Sequence, residues 1–540
     1  MPAPITAVVG VRVALLAGPE RVSVVTPATL GQELTRVNSA GTRSGPRPRH
    51  PDVGSSRARP RARSPALSPW SSPSSRPLVT STLTGLALLA GLTAGGAAAA
   101  PASAATPSDR SAPRHDTLFP TQGNAGYQVR HYDVALDYDP VLNHLDATTT
   151  VRATARRTLA SFHLDLEGLG VSAVTVDGEP ATFTRRGTEL VVTPASPVDG
   201  RFRAVVAYAG TPQEHTDTDG STEGWVRTAD GAIALGEPVG AMTWLPSNNT
   251  PGDKATYAFH VRAPSTVQVV ANGDLVDRVV DGTDTTWEWR ATDPMATYLA
   301  TVAIGKFDVE EDTTTSITGR TIPIWSFTDP TTPVTPETRA GLKDVLRFEE
   351  KRFGAYPFTS TGMVVDNARV GYALETQTRP FYPGGVDTGT LVHEMAHQWF
   401  GDSLTLVDWH DIWLAEGFAT YAEWLWDAKH GGPTPAEHFA DLYARPESDG
   451  LWHPSPRGFT DSADLFGTPV YARGAMTLQA LRERVGSRDF FAIVKAWAKA
   501  HRHGSVHTQQ LVRLSERISG RELSGLFRRW LDVEGKPAGY

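Results

Sequence analysis

Between about residue 127 and residue 307, apolar and polar positions alternate with a period of two. Tyr132-Asp133-Val134-Ala135-Leu136-Asp137-Tyr138 and Phe162-His163-Leu164-Asp165-Leu166 are such runs, and this spacing puts every second side chain on one face of a strand. Val174-Thr175-Val176 runs into Asp177-Gly178, a pair suited to a hairpin turn. Phe202 to Tyr208 and Thr286-Trp287-Glu288-Trp289 continue the pattern. The alternation predicts an all-β domain over 120–310, sandwich-like and curved. Past Pro323 the period changes. Leu342, Val345, Leu346 and Phe353 have helical spacing and are followed by Gly354, a helix-stop residue. Met363-Val364-Val365 reads as a strand. Leu391, Val392, Met395, Ala396, Trp399 and Phe400 describe a helix buried on most sides. Helical segments continue through Leu478–Leu481, Phe490–Trp497 and Leu511–Ile518. The second domain, 311–540, is therefore mainly α with a small sheet before its first core helix. Together the two give a multidomain α+β protein.

The first 104 residues follow neither pattern. Gly41 to Arg76 is a run of Arg, Pro and Ser, which cannot bury a core and is expected to be disordered. An apolar stretch from Leu83 to Ala100 follows and ends at Ala102-Ser103-Ala104. A membrane anchor is the alternative reading, but the run is short, rich in Gly and Ala, and followed by a small-residue cleavage site, the features of a secretory signal peptide near 76–104. The protein is expected to be secreted, with no stable membrane insertion once the signal is removed.

Charge sharpens this division. Residues 1–104 hold eleven Arg and three acidic residues, a net of +8, so with −8 for the whole chain the remainder stands at −16. A body that acidic will not seek nucleic acid. With 540 residues and no cysteine, the chain can form two or three domains but no disulfide, thiolate metal site or cysteine nucleophile. Any metal must be held by His, Asp or Glu.

His393-Glu394-Met395-Ala396-His397 supplies such a set. Residues four apart project from one face of a helix, so both imidazoles reach a single ion. A catalytic zinc takes three protein ligands and keeps one open position. Eighteen residues intervene between His397 and Glu416, which lies in Trp413-Leu414-Ala415-Glu416-Gly417-Phe418-Ala419, itself helical in pattern. A hairpin of two helices brings Glu416 back to the ion as the third ligand. Glu394 then serves as the proton carrier that serves water and later the leaving amine. Glu423, seven residues beyond Glu416, is open between orienting a ligating imidazole and lying on the surface.

At these residues the chain resembles the aminopeptidase N-like (M1) zinc metallopeptidases of the gluzincin group. His393, Glu394, His397 and Glu416 match that family's metal signature position by position. Phe353-Gly354-Ala355-Tyr356-Pro357-Phe358 and Tyr471-Ala472-Arg473-Gly474-Ala475 are similar to two further family segments, and so is the stretch from Glu237-Pro238 to Tyr257. The likeness covers about residues 125 to 535. It implies a thermolysin-like catalytic domain with one zinc ion, in which Tyr471 donates to the oxyanion of the intermediate. It also implies that Glu375, with Glu237, pairs with the free α-ammonium of a peptide. The implied activity is removal of amino-terminal residues from peptides.

The chain departs from the family in three places. The exopeptidase motif reads Tyr372-Ala373-Leu374-Glu375-Thr376, keeping only its Glu. The family's D-E-P is Asn249-Thr250-Pro251. The chain is also too short beyond the metal domain for the helical cap of larger members, so an open cleft that admits longer peptides is expected. The altered motif leaves open an endopeptidase or dipeptide-releasing enzyme with the same chemistry. The reading from another class is a non-catalytic peptide-binding protein on a peptidase scaffold. Arg473 is open between a contact to substrate and a surface ion pair. His501, His503 and His507 are expected on a solvated loop without acidic partners.

Overall fold

The computed structural model describes residues 116–332 and 334–538. The extension and signal expected within 1–104 lie outside the described residues. From Tyr127 the strands form the predicted β domain. Its largest sheet has eight strands in the order Asp274–Asp281, Asp284–Met295, Ala255–Pro264, Tyr127–Asp139, His144–Ala155, Arg201–Gly210, Gly170–Val176 and Glu179–Pro180. Tyr127–Asp139 runs parallel to Ala255–Pro264, and the other pairings are antiparallel. The alternation in the sequence is the cause: Tyr132, Val134, Leu136 and Tyr138 are buried while Ala135 and Asp137 are exposed, which leaves one apolar face to cover. A five-stranded sheet covers part of it, with Trp225 set edge-on to Tyr138 at 5.1 Å between ring centroids. Asp177 (φ 52°) and Gly178 (φ 93°) close the hairpin that their sequence predicts, both in the left-handed region that such turns require.

The strands Asp308–Thr315 and Thr321–Thr328 do not join those sheets. They pair instead with Thr361–Asp366 and Phe381–Pro383 in a four-stranded sheet that precedes the metal helix. Eight α-helices follow among the described residues: α1 Pro336–Phe353, α2 Thr388–His397, α3 Trp413–Lys429, α4 Pro435–Tyr443, α5 Gly474–Val485, α6 Ser487–Ala500, α7 Thr508–Ser519 and α8 Ser524–Leu531. Local signals set their ends. Thr335 caps α1 by accepting from the Thr338 amide, Pro336 occupies its first turn, and Gly354 (φ 108°) stops it, each a position where that residue fits the helix terminus. Among the described residues no helix is long and apolar enough to cross a membrane.

The β domain grips the catalytic domain just behind the metal helix. The buried Lys254 Nζ donates to the carbonyls of Asp402 (2.6 Å) and Ser403 (3.0 Å), and the Tyr298 hydroxyl donates to the carbonyl of Gly401 (3.2 Å). These bonds hold the β domain against the segment that follows His397.

Candidate metal centre and catalytic cleft

α2 begins at Asp387, whose carboxylate accepts the Thr390 amide at 3.0 Å. It buries Leu391, Val392, Met395 and Ala396, and Phe400 stacks on Phe418 of α3 at 4.2 Å. That packing brings the first turn of α3 to the face of α2 that carries His393 and His397. Glu416 Oε2 lies 3.1 Å from His393 Nε2 and 3.4 Å from His397 Nε2. The second nitrogen of each ring is engaged elsewhere. His393 Nδ1 meets Glu423 Oε1 at 2.6 Å, and His397 Nδ1 meets the carbonyl of Phe400 at 3.0 Å. Both acceptors call for Nδ1–H, which leaves a lone pair on each Nε2. Two lone pairs and a carboxylate oxygen within 4.8 Å of one another repel unless a cation lies among them. Two imidazoles and one carboxylate match the three-ligand set of a catalytic zinc. Glu423 is thus a partner of the metal ligand His393 rather than a surface residue.

Without a metal this pocket can take only protons. Burial opposes a charged imidazole, but the Glu416 and Glu375 carboxylates outweigh it and hold His397 up at about 9. Burial likewise opposes ionised Glu416, yet His397 and His393 hold its carboxyl well below the ordinary range. Glu394, between the two histidines on α2, is pushed up to about 8 by burial, with both imidazoles pulling the other way.

Tyr471 reaches this centre through a close approach of two backbones. Its ring lies 6.0 Å from that of His393, nearly parallel at 24°. It is carried by a π-helical turn, Pro469–Arg473, immediately before α5. Gly417, next to Glu416, faces Gly474, next to that turn. A Cβ on Gly417 would come within 2.9 Å of the Gly474 backbone, so glycine on α3 is a steric requirement for bringing the turn to the metal ligands. Arg473 corrects an expectation, since it forms no surface ion pair and spends its guanidinium on backbone carbonyls. It is fully buried, and its guanidinium donates to the carbonyls of Trp530 (2.8 Å), Trp452 (3.1 Å), Arg529 (3.1 Å) and Val533 (2.6 Å). It therefore satisfies carbonyls at the end of α8 and ties that end to the turn carrying Tyr471.

Glu375 and Glu237 are both buried, each 3% exposed. The Glu375 segment adds to the edge of the four-stranded sheet, where Leu374 and Phe381 exchange backbone bonds of 2.9 and 2.7 Å. Burial pushes the Glu375 carboxyl above its ordinary range, and His397, the nearest opposing charge, pulls it back. Tyr372, in place of the family's glycine, donates its hydroxyl to the Thr222 carbonyl at 2.7 Å, a bond from the catalytic strand to the β domain. Asn249, in place of the family's Asp, holds the Val239 carbonyl (2.7 Å) and accepts the Thr297 hydroxyl (2.7 Å). It thereby braces the segment after Glu237 and the residue before Tyr298.

Tyr298 is a fully buried residue that the sequence did not single out, and its hydroxyl bonds the Gly401 carbonyl just after the metal helix. Burial first, then the charges of Glu375, Glu237, Asp402 and Glu416, push that hydroxyl well above the ordinary range. One aromatic in a strand-rich region carries no signal for that role. Two of the three late histidines have a carboxylate nearby, against expectation. His503 Nε2 accepts from Arg502 Nε at 2.8 Å with Asp293 Oδ1 3.3 Å away, and His507 Nδ1 lies 3.5 Å from Asp411 Oδ2, carboxylates supplied from distant parts of the chain. No metal set includes any of the three among the described residues.

Comparison with known proteins agrees with this geometry. A model of the Peptidase M1 N-terminal domain matches residues 128–299, and a model of the Peptidase family M1 domain matches residues 387–530. An M1 zinc metallopeptidase from Deinococcus radiodurans superposes with a TM-score of 0.71 at 31% identity, over 79% of this chain and 99% of that one. A mutant of that protein bound to a Tyr-Ser-Ala substrate matches at 31% identity and TM-score 0.71, over 78% and 98%. Aminopeptidase N of Streptomyces lividans is 29% identical over 320 residues, 53% of this chain and 36% of that protein. The probable aminopeptidase 2 of Sulfurisphaera tokodaii is 23% identical over 422 residues, 70% and 50%. The chain thus spans between about a third and a half of the length of these curated relatives.

Proposed function

The chain belongs to peptidase family M1, and from that premise we propose that it is a zinc hydrolase that removes amino-terminal residues from peptides. The observation that carries this reading is the convergence of His393 Nε2, His397 Nε2 and Glu416 Oε2 beside a second buried carboxylate, Glu375. Zinc held by the first three supplies a Lewis acid that polarises the scissile carbonyl and makes water a nucleophile near neutral pH. Glu394 takes the proton of the attacking water and gives it to the departing amine. The Tyr471 hydroxyl donates to the oxygen on which negative charge develops. Glu375 and Glu237 pair with the substrate's α-ammonium. An ammonium held there would leave only the first peptide bond within reach of the reacting centre.

The mixed motif around Glu375 leaves this anchor narrower in chemical basis than the metal site, since Glu375 alone retains the family's residue. An endopeptidase would use the same ligands without needing either carboxylate. Export also belongs to the proposal: the Leu83–Ala100 run and Ala102-Ser103-Ala104 support a protein that acts outside the cytoplasmic membrane.

Dialysis against a chelator tests the zinc assignment. Hydrolysis of a leucyl arylamide should fall to background and return with one zinc per chain. Zinc affinity should fall as pH falls below about 9, because His397 must lose a proton before it can bind metal. Full activity in protein shown to be metal-free would overturn the assignment.

A further inference from the structure

The turn that carries Glu375 is held from two sides, and on the side of the metal helix one carboxamide bonds both of its ends. Gln398 follows His397 directly at the C-terminal end of α2 and is fully buried. Its Nε2 donates to the Glu375 carbonyl at 3.1 Å. Its Oε1 accepts from the Thr378 amide at 2.8 Å and from the Tyr356 hydroxyl at 3.3 Å. One planar group therefore satisfies both ends of the turn from Glu375 to Thr378. A carboxamide offers its donors and its acceptor side by side in one plane, the spacing that the two ends of the turn present.

The opposite side belongs to the β domain. Asn272 Nδ2 donates to the carbonyls of Gln377 (2.8 Å) and Leu299 (2.9 Å), and the Gly273 amide donates to Thr378 Oγ1 (2.9 Å). Between these clamps Thr378 sits at φ 70°, a conformation that a β-branched residue keeps only where its surroundings fix it. The Oε1 of Glu375 is buried without a hydrogen-bond partner, so the backbone of the turn carries much of the task of placing that carboxylate.

We propose that Gln398 is a positioning residue that sets the distance from the metal ligand His397 to the Glu375 carboxylate, and through it the requirement for a free amino terminus. The inference rests on the aminopeptidase reading. Gln398 is joined covalently to His397 and by hydrogen bonds to both ends of the turn, so a shift of either is transmitted to the other. A turn released from Gln398 holds the ammonium less tightly in the ground state and the transition state alike, which raises KM and leaves kcat nearly unchanged.

The test compares wild type with Gln398→Met, which keeps length and volume but has no N–H donor, and Gln398→Glu, which keeps the acceptor alone. Three quantities are measured: zinc content, kinetics on leucyl arylamide, and hydrogen exchange at the Thr378 amide. Zinc should remain at one per chain in all three proteins. In Gln398→Met the KM should rise tenfold or more while kcat changes less than threefold, and Thr378 should exchange at least tenfold faster. Gln398→Glu should lie between. KM and exchange both within twofold of wild type would overturn the proposal, as would loss of zinc from Gln398→Glu, since that would assign Gln398 to the metal helix instead. If wild type cuts N-acetylated leucyl arylamide as fast as the free form, the aminopeptidase reading fails. The exchange rate of Thr378 then still decides whether Gln398 holds the turn.

Discussion

Replacing Glu394 by Gln should lower kcat for an aminoacyl arylamide by about 10^3–10^4-fold, the range of a positioned acid–base group that acts in both directions, while zinc stays at one per chain. Glutamine has nearly the shape of glutamate, so α2 and its buried face are preserved, yet it cannot accept and return a proton. Glu394 is 6% exposed and lies between the two histidines in the last turn of α2. The loss corresponds to about 4–5.5 kcal/mol of transition-state stabilisation at 1.36 kcal/mol per decade. Burial, offset in part by both imidazoles, holds the carboxyl at about 8, and a bound cation would add to that pull, so the wild-type acidic limb should lie below that value. Steady-state kinetics beside metal analysis checks the prediction. A loss of less than tenfold with zinc intact would mean that another group carries the proton.

Tyr471→Phe should reduce kcat by about 10^2–10^3-fold with KM changed by less than threefold, the pattern of a donor that acts only where charge develops. The phenyl ring retains the near-parallel packing on His393 at 6.0 Å, so only the hydroxyl is removed. A transition-state analogue should lose affinity in the same proportion, and a substrate analogue should not. Equal losses for both ligands would reduce Tyr471 to a packing residue.

The chemistry of the centre was the most legible part of this sequence because its geometry is local. His393 and His397 are one helical turn apart, and Glu416 comes from the next long helix, so the spacing marks the set that the packing of α2 on α3 brings together. The period-two runs likewise foretold the strands, since each strand buries its own alternate side chains. Sheet order was not legible. Nothing in Asp308–Thr315 says that it pairs beside Thr321–Thr328 and not with the strands before it, because partners are chosen by the fold and not by the strand itself.

The polar scaffolding was hidden for the same reason. Gln398 reads as one more residue after the motif, but its bonds reach Glu375, Thr378 and Tyr356. Arg473 reads as a charge near a catalytic tyrosine, whereas its four carbonyl partners come from around Trp452 and from the end of α8. Such long-range satisfaction of buried polar groups follows from tertiary structure, so no window of sequence contains it. The same holds for His503 and His507, whose carboxylates come from Asp293 and Asp411.

Paired hydrolysis of free and N-acetylated aminoacyl arylamides by the zinc-loaded protein tests the central claim most directly. The proposed pairing of the buried carboxylates Glu237 and Glu375 with the substrate's ammonium predicts that the free substrates are cut and that acetylation lowers kcat/KM by at least a hundredfold. Equal rates on the two sets would contradict the account and leave a zinc peptidase with no amine anchor.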